Sequence, residues 1–183
     1  MISCLARIRR LDQDGLTLGG SDGVQVLMTV DTSYGTPSTT GITTHMSTTT
    51  GSIMSAVKRH PFTTDSAMAS EGIGGHFGTK RIMGLRYFLN ELGFPQLQPS
   101  DLYMDNQPFI DTIVNGKGCS ERSKPILIRY NIVKEAWEQD EIDLKQLRST
   151  NMVADLLTKN LAREQWYQLR AVLLGNSPIL LNT

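Results

Sequence analysis

Four carboxylates fall where segments of regular structure are expected to begin or end: Asp31, Glu71, Asp105 and Asp155. Asp31 closes the β-branched, apolar run VQVLMTVD, and Asp105 closes the short strand-like stretch LYMD, with Asn106 and Gln107 directly after it. Glu71 lies in the first turns of a long helical pattern, and Asp155 in the first turn of VADLLTKNL. Carboxylates brought together raise one another's proton affinity unless cations neutralise them. Hard divalent cations do this through oxygen ligands, and Mg²⁺ favours few carboxylates, several waters and a substrate phosphate. Two such ions, about 4 Å apart, activate a water on one side of a phosphodiester and stabilise the leaving oxygen on the other. The chemistry these four acids could support together is therefore that of a nuclease. Taken singly each has a plainer use: Asp105 as a helix cap, Asp155 as a favourable first-turn charge, Asp31 in a turn, Glu71 in solvent. The order Asp, Glu, Asp, Asp, each acid suitably placed on its element, is what argues for chemistry.

The elements that must position them follow from periodicity. Ile2, Leu5, Ile8 and Leu11 are spaced as a short amphipathic helix that the glycines of GLTLGGSDG end. Val24 to Asp31 reads as a strand, TSYGTPSTTG as its turn, and Ile42–Ser47 and Ser52–Val57 as two further strands of an antiparallel meander. From Asp65 to Leu92 apolar residues recur at threes and fours, with Gly93 and Pro95 beyond as a stop. Gly72, Gly74, Gly75, Gly78 and Gly84 each cost this helix up to about 1 kcal/mol against alanine. The helix is therefore expected to depend on packing and to be loosened around Glu71. The strand LYMD, a helix from about Asn106 to Val114, a helix from about Ser123 to Glu138 and the strand EIDLKQLR come next. Helices VADLLTKNL and REQWYQLRAVLL close the chain, with Ser149, Thr150 or Asn151 as the expected cap. Three strands, helix, strand, helices, strand, helix is an α/β order: a five-stranded mixed sheet, its first three strands antiparallel, with helices on both faces. If the first and fourth strands are parallel neighbours, Asp31 and Asp105 emerge side by side where open α/β sheets bind ligands.

Composition narrows the partners less than the pattern does. Lys and Arg number 18, as do Asp and Glu, so the net charge is zero and says nothing about nucleic acid. The distribution says more: Lys117, Arg122, Lys124, Arg129 and Lys134 form a basic run opposed only by Glu121, and an acidic block from Glu135 to Asp143 follows. Cys4 and Cys119 form no ligand or redox motif, which fits a reducing compartment and predicts neither a disulfide scaffold nor a zinc site. No apolar run approaches membrane-spanning length and no secretory leader is legible, so the expectation is an unsecreted chain with no membrane partner. GIGGHFG lacks the spacing of a dinucleotide-binding loop, and no nucleophile sits in an elbow motif. His45, His60 and His76 stand alone.

The segments VDTSYG, STTG, SAMASEG, LRYFLNELG, LYMDNQPFI, RSKPILIRYNIVKE, DEIDLKQLRSTNMVADLLTKNL and REQWYQLRAVLLG resemble, in order and spacing, the ribonuclease H domain of copia-type LTR retrotransposon Pol polyproteins. The resemblance runs from about residue 24 to residue 175, with LYMDNQ and VADLLTKNL its most specific pieces. LARIRRLDQDGLTLGG is similar to the last helix of the reverse transcriptase region that precedes that domain. The implied layout is a reverse transcriptase tail over residues 1–22, a ribonuclease H-like domain over 23–175 and a C-terminal tail over 176–183.

The resemblance implies a ribonuclease H fold and two-metal hydrolysis of the RNA strand of RNA/DNA hybrids during reverse transcription. Asp31, Glu71, Asp105 and Asp155 match the family's metal-binding acids, with two Mg²⁺ ions as cofactor and Mn²⁺ as a substitute. Asn106 and Gln107 are similar to residues that touch the hybrid near the cut, Thr32 and Ser33 are also expected to bind nucleic acid, and Lys124 and Arg129 are expected on its backbone. The implied partners are the hybrid and the reverse transcriptase domain of the same polyprotein. The implied location is cytoplasmic, in a virus-like particle, with access to the nucleus. The sequence departs from the family pattern at SAMASE, at Gly72 where an aromatic is usual, near Ala56 where a tryptophan is frequent, and at Pro125 in place of a histidine. The alternative is a catalytically inactive ribonuclease H-like remnant that binds nucleic acid or packs on a polymerase domain. A DDE-type integrase or transposase fits less well, because its glutamate comes last of three acids whereas Glu71 lies between two aspartates.

Overall fold

The computed structural model describes residues 24–34, 37–61, 66–116 and 124–181, with the side chains of Lys124 and Pro125 outside that description. The expected helix near the amino terminus, both cysteines and the start of the basic run lie outside the described residues. Five strands form one sheet: β1 (Leu27–Ser33), β2 (Thr39–His45), β3 (Met54–Arg59), β4 (Ser100–Met104) and β5 (Ile142–Gln146), ordered β3-β2-β1-β4-β5. The helices are α1 (Ala67–Glu91), α2 (Gln107–Asn115), α3 (Lys124–Glu138), α4 (Asp155–Thr158) and α5 (Arg163–Leu173), with a 3₁₀ turn at Ser149–Asn151. β1, β2 and β3 pair antiparallel, and β4 and β5 continue the sheet parallel to β1. This is the mixed sheet the sequence order implies.

Strand parity divides the sheet into two faces, because successive side chains point to opposite sides. Met28 and Val30 of β1 and Leu102 and Met104 of β4 enter a core with Ile82, Phe109, Tyr130 and Val133 from the first three helices. Leu27 and Tyr103 enter a second core with Met152, Leu156, Trp166, Leu169 and Ile179. Ile179 also donates its backbone N–H to Thr48 O at 2.7 Å, so the chain beyond α5 packs into the same body.

Several expected boundaries move. β1 does not stop at Asp31 but continues to Ser33, because Asp31, Thr32 and Ser33 keep pairing with Gly41, Thr40 and Thr39 of β2 after the pairing with β4 has ended at Thr29. The helix expected over VADLLTKNL is only the four residues of α4. It takes no cap from Ser149, Thr150 or Asn151, which form the 3₁₀ turn; its N-terminus is held to the sheet instead, Ala154 N–H donating to Thr29 Oγ1 at 3.1 Å.

The largest correction concerns α1. Far from being loosened around Glu71, the helix is unbroken from Ala67 to Glu91, capped by Ser66, whose hydroxyl accepts the Ala69 N–H at 3.1 Å. Gly72, Gly74, Gly75 and Gly78 are points of close approach. A Cβ on Gly72 would lie 2.6 Å from Tyr130 Cε2, and one on Gly78 would lie 2.8 Å from Val30 Cγ2 and 3.0 Å from Leu102 Cδ1. Glycine at these positions lets the helix backbone settle against β1, β4 and α3, so helix propensity is exchanged for contact.

Candidate active site

Parity and register place the acids. β1 and β4 are paired with Leu27 opposite Asp101 and Thr29 opposite Tyr103. The same offset carried two residues further sets Asp31 opposite Asp105, which lies one residue beyond the end of β4. Both alternate with the residues of the first core and so face the side that carries α4 and α5. Asp155, the first residue of α4, is on that side and buried. Glu71 belongs to α1, on the other face, and is also buried.

A residue that the sequence reading did not single out ties three of these acids together. Lys159 Nζ is 3.0 Å from Asp31 Oδ1, 2.9 Å from Asp155 Oδ1 and 3.5 Å from Asp105 Oδ2. Thr158 Oγ1 donates to Asp31 Oδ2, and Ser149 Oγ donates to Asp105 Oδ2 at 3.1 Å. The only legible signal for Lys159 is its spacing, four residues after Asp155, the i,i+4 arrangement that pairs opposite charges on a helix. Thr158 and Ser149 carry no comparable signal.

Glu71 is left out of this network. Its Oε2 is buried and has no hydrogen-bond partner among the described residues. Its carboxyl is pushed up to about 8, first by burial and then by the charges of Asp105 and Asp31, with Lys159 opposing. Asp155 is raised as well, by burial first and the Asp31 charge second, against the pull of Lys159. Burial alone would lower the Lys159 ammonium, but Asp31 and Asp155 more than reverse it and hold the ammonium firmly charged. Burial and mutual repulsion thus favour the protonated forms of Glu71 and Asp155, and the Lys159 ammonium offsets part of the negative charge of the cluster.

The donor set fits a hard divalent cation, since all four groups are carboxylates and the buried Oε2 of Glu71 has no partner among the described residues. As the side chains stand, no three His, Cys, Asp or Glu residues among those described already form a metal-ligand cluster. The ammonium of Lys159 lies among three of the acids instead.

The other expected site residues are placed differently. Asn106 caps α2, its Oδ1 accepting the Phe109 N–H at 2.9 Å, and Gln107 Nε2 donates to Asp111 Oδ1 at 2.7 Å. Thr32 is buried, its hydroxyl 3.0 Å from that of Thr40, and Ser33 Oγ donates to Thr39 O at 3.3 Å. Arg129 is half-buried on α3, near enough to His60 and His76 to add to burial and to Lys58 in holding both imidazoles below their ordinary range. The side chain of Lys124 lies outside the described residues.

No family model matches the chain. Among solved structures it is similar to the N-terminal RNase H domain of rv2228c from Mycobacterium tuberculosis, determined as a fusion with maltose binding protein. The TM-score is 0.54 and the identity 14%, over 81% of this chain and 97% of that one. LC11-RNase H1, isolated from compost by a metagenomic approach, aligns at a TM-score of 0.48 and 9% identity over 81% of this chain and 91% of that one. The first similarity and the strand order define the class: this is a ribonuclease H-like fold, a five-stranded mixed sheet in which β3-β2-β1 are antiparallel and β4 and β5 run parallel to β1.

Proposed function

We propose that this chain is a ribonuclease H that hydrolyses the RNA strand of RNA/DNA hybrids, and that it derives from a copia-type retrotransposon Pol polyprotein in which a reverse transcriptase region precedes it. One observation carries the reading: just past the stretch where β1 and β4 pair in parallel, three acids from β1, the end of β4 and α4 meet on a single ammonium, while the buried fourth acid keeps an oxygen with no partner among the described residues. Asp31, Glu71, Asp105 and Asp155 would hold two Mg²⁺ ions, with Mn²⁺ as a substitute. Such ions, when bound, lower the pKa of an attacking water and offset charge on the leaving oxygen. The chain's own residues orient and neutralise. Thr158 and Ser149 fix single oxygens of Asp31 and Asp105, and the burial of Glu71 and Asp155 keeps water from screening them. Lys58, Lys80 and Arg129 gather positive charge where β3, α1 and α3 approach one another, which supports contact with a hybrid backbone that weakens as salt rises.

The test is cleavage of a labelled RNA/DNA hybrid in Mg²⁺ or Mn²⁺. Cutting of the RNA strand by the wild-type protein, lost in Asp105→Asn, is the expected result. The inactive alternative draws on the placement of Lys159 among the acids, and a folded wild-type protein that binds the hybrid without ever cutting it would establish that alternative instead.

A further inference from the structure

The geometry points to Lys159 as a resident counter-ion: its ammonium holds Asp31, Asp105 and Asp155 in place while no metal is bound, and it must be displaced for a divalent cation to enter. The inference rests on the reading of these acids as metal ligands. An ammonium has three N–H donors, and here three carboxylates surround it at 2.9, 3.0 and 3.5 Å. The charge of Lys159 is thus shared among the three acids on its own side of the sheet, with its hydrogen bond directed to Asp155 Oδ1. Each oxygen it engages has the type and charge that a hard divalent cation requires, so ammonium and metal compete for the same groups.

Other features separate this arrangement from an ordinary structural ion pair. The backbone of Lys159 is fixed at its base, where its N–H donates to Asp155 O at 2.9 Å just past the last residue of α4. Its side chain is 36% exposed, whereas those of Asp31 and Asp155 are each 2% exposed. A flexible four-carbon stem ending near solvent can swing away, but the buried acids cannot. Glu71 is the complementary case. The ammonium does not reach it, and its Oε2 has no partner among the described residues, so Lys159 replaces only part of what a cation would do. Lys159 is accordingly a positioning residue with two opposed effects: it preserves the site without metal and weakens metal binding.

The two effects are read together in wild type, Lys159→Met, Lys159→Arg and Asp105→Asn. Melting is followed in EDTA at neutral pH, and Mn²⁺ binding by titration calorimetry and by the paramagnetic resonance of free Mn²⁺. Lys159→Met is expected to melt below wild type in EDTA yet to reach half-saturation at an Mn²⁺ concentration about tenfold lower, since a competing charge has been removed. Lys159→Arg, which retains the charge, is expected to stay near wild type in both. A merely structural lysine would lower the melting temperature without tightening Mn²⁺. Wild-type-like or weaker Mn²⁺ binding by Lys159→Met, with binding by wild type itself intact, overturns the displacement and leaves the metal site standing. Absence of Mn²⁺ binding from wild type and Lys159→Met alike, indistinguishable from Asp105→Asn, overturns the metal reading and the displacement with it. Should Lys159→Met fail to fold, Lys159→Gln gives the same comparison with a neutral side chain that still donates hydrogen bonds.

Discussion

The hydroxyl of Thr29 on β1 accepts the backbone N–H of Ala154 at 3.1 Å, bridging 125 residues of sequence, and lies 2.7 Å from the hydroxyl of Thr43 on β2. Ala154 immediately precedes Asp155, and Thr29 is two residues before Asp31 on the same face of the strand. This one buried hydroxyl therefore sets how α4, with Asp155 and Lys159, meets the end of the sheet. Thr29→Val keeps the shape but leaves the Ala154 N–H buried without an acceptor. A loss of about 1–3 kcal/mol in urea unfolding is expected, together with a larger drop in hybrid cleavage than global stability explains, because α4 loses its tether. Unchanged stability would mean that α4 is held by packing alone.

The glycines of α1 give a prediction with opposite signs. Gly84 has nothing within 4 Å of the space a Cβ would occupy, whereas a Cβ on Gly78 would press on Val30 and Leu102. Gly84→Ala is expected to stabilise the protein by about 0.5–1 kcal/mol through helix propensity. Gly78→Ala, the same chemical change six residues earlier, is expected to destabilise it by roughly 1–3 kcal/mol through overpacking. Denaturant midpoints at constant slope decide the matter. Equal gains in both variants would show that α1 does not need its close seat on the sheet.

That pair also marks where the sequence was legible and where it was not. The order of strands and helices along the chain and the long helix follow from alternation, apolar spacing and glycine and proline stops, all of them local signals; the meeting of Asp31 and Asp105 was conditional on β1 and β4 being parallel neighbours, which only the sheet pairing supplies. The meaning of Gly72 and Gly78 does not, because a glycine that weakens a helix and one that admits Tyr130 or Val30 look identical until the partner is known. Lys159 was hidden for a similar reason. Its pairing with Asp155 is local, but its contacts with Asp31 and Asp105 span more than fifty residues each and depend on the register of β1 against β4. The shortness of α4 was equally illegible, since its start is fixed by Thr29, an acceptor on another element.

Stability should depend on pH with a sign set by Glu71. Its folded pKa, about 8, is raised from 4.5, so the folded state holds this proton more tightly than the unfolded chain does. The stabilisation is complete below about pH 4.5 and is lost as pH rises through about 8; Asp155, also raised, acts in the same direction. In EDTA the melting temperature is expected to fall between pH 5 and pH 8.5. With Mn²⁺ present the fall should flatten or reverse, because metal binding releases the same protons. A melting temperature that stays level across this range in EDTA would refute the burial of an uncompensated Glu71.

Glu71→Gln separates the carboxylate from the space it fills. The amide removes a buried charge whose Oε2 has no partner among the described residues, so above pH 8 the metal-free variant is expected to be more stable than wild type, with the difference shrinking as pH falls and vanishing only below about pH 4.5. The same variant should gain less from Mn²⁺ than wild type and should not cleave a hybrid. Greater stability at high pH with an undiminished response to Mn²⁺ would place the ion elsewhere.

Asn106 requires a variant that distinguishes a cap from a substrate contact, since its Oδ1 already accepts the Phe109 N–H at 2.9 Å at the start of α2. Asn106→Ala is expected to cost about 1 kcal/mol, the usual cost of losing such a cap, and any accompanying loss of activity would be ambiguous. Asn106→Asp keeps a capping oxygen and favours the positive end of the helix, so stability should stay within about 0.5 kcal/mol of wild type. It also replaces an amide donor by a negative charge directly beside Asp105. If the Asn106 amide group donates to the RNA strand while its oxygen caps the helix, Asn106→Asp should raise KM for the hybrid several-fold at unchanged stability, and lower salt should not restore it. Wild-type KM in Asn106→Asp, with full stability, would assign Asn106 to the helix alone and leave hybrid recognition to other residues.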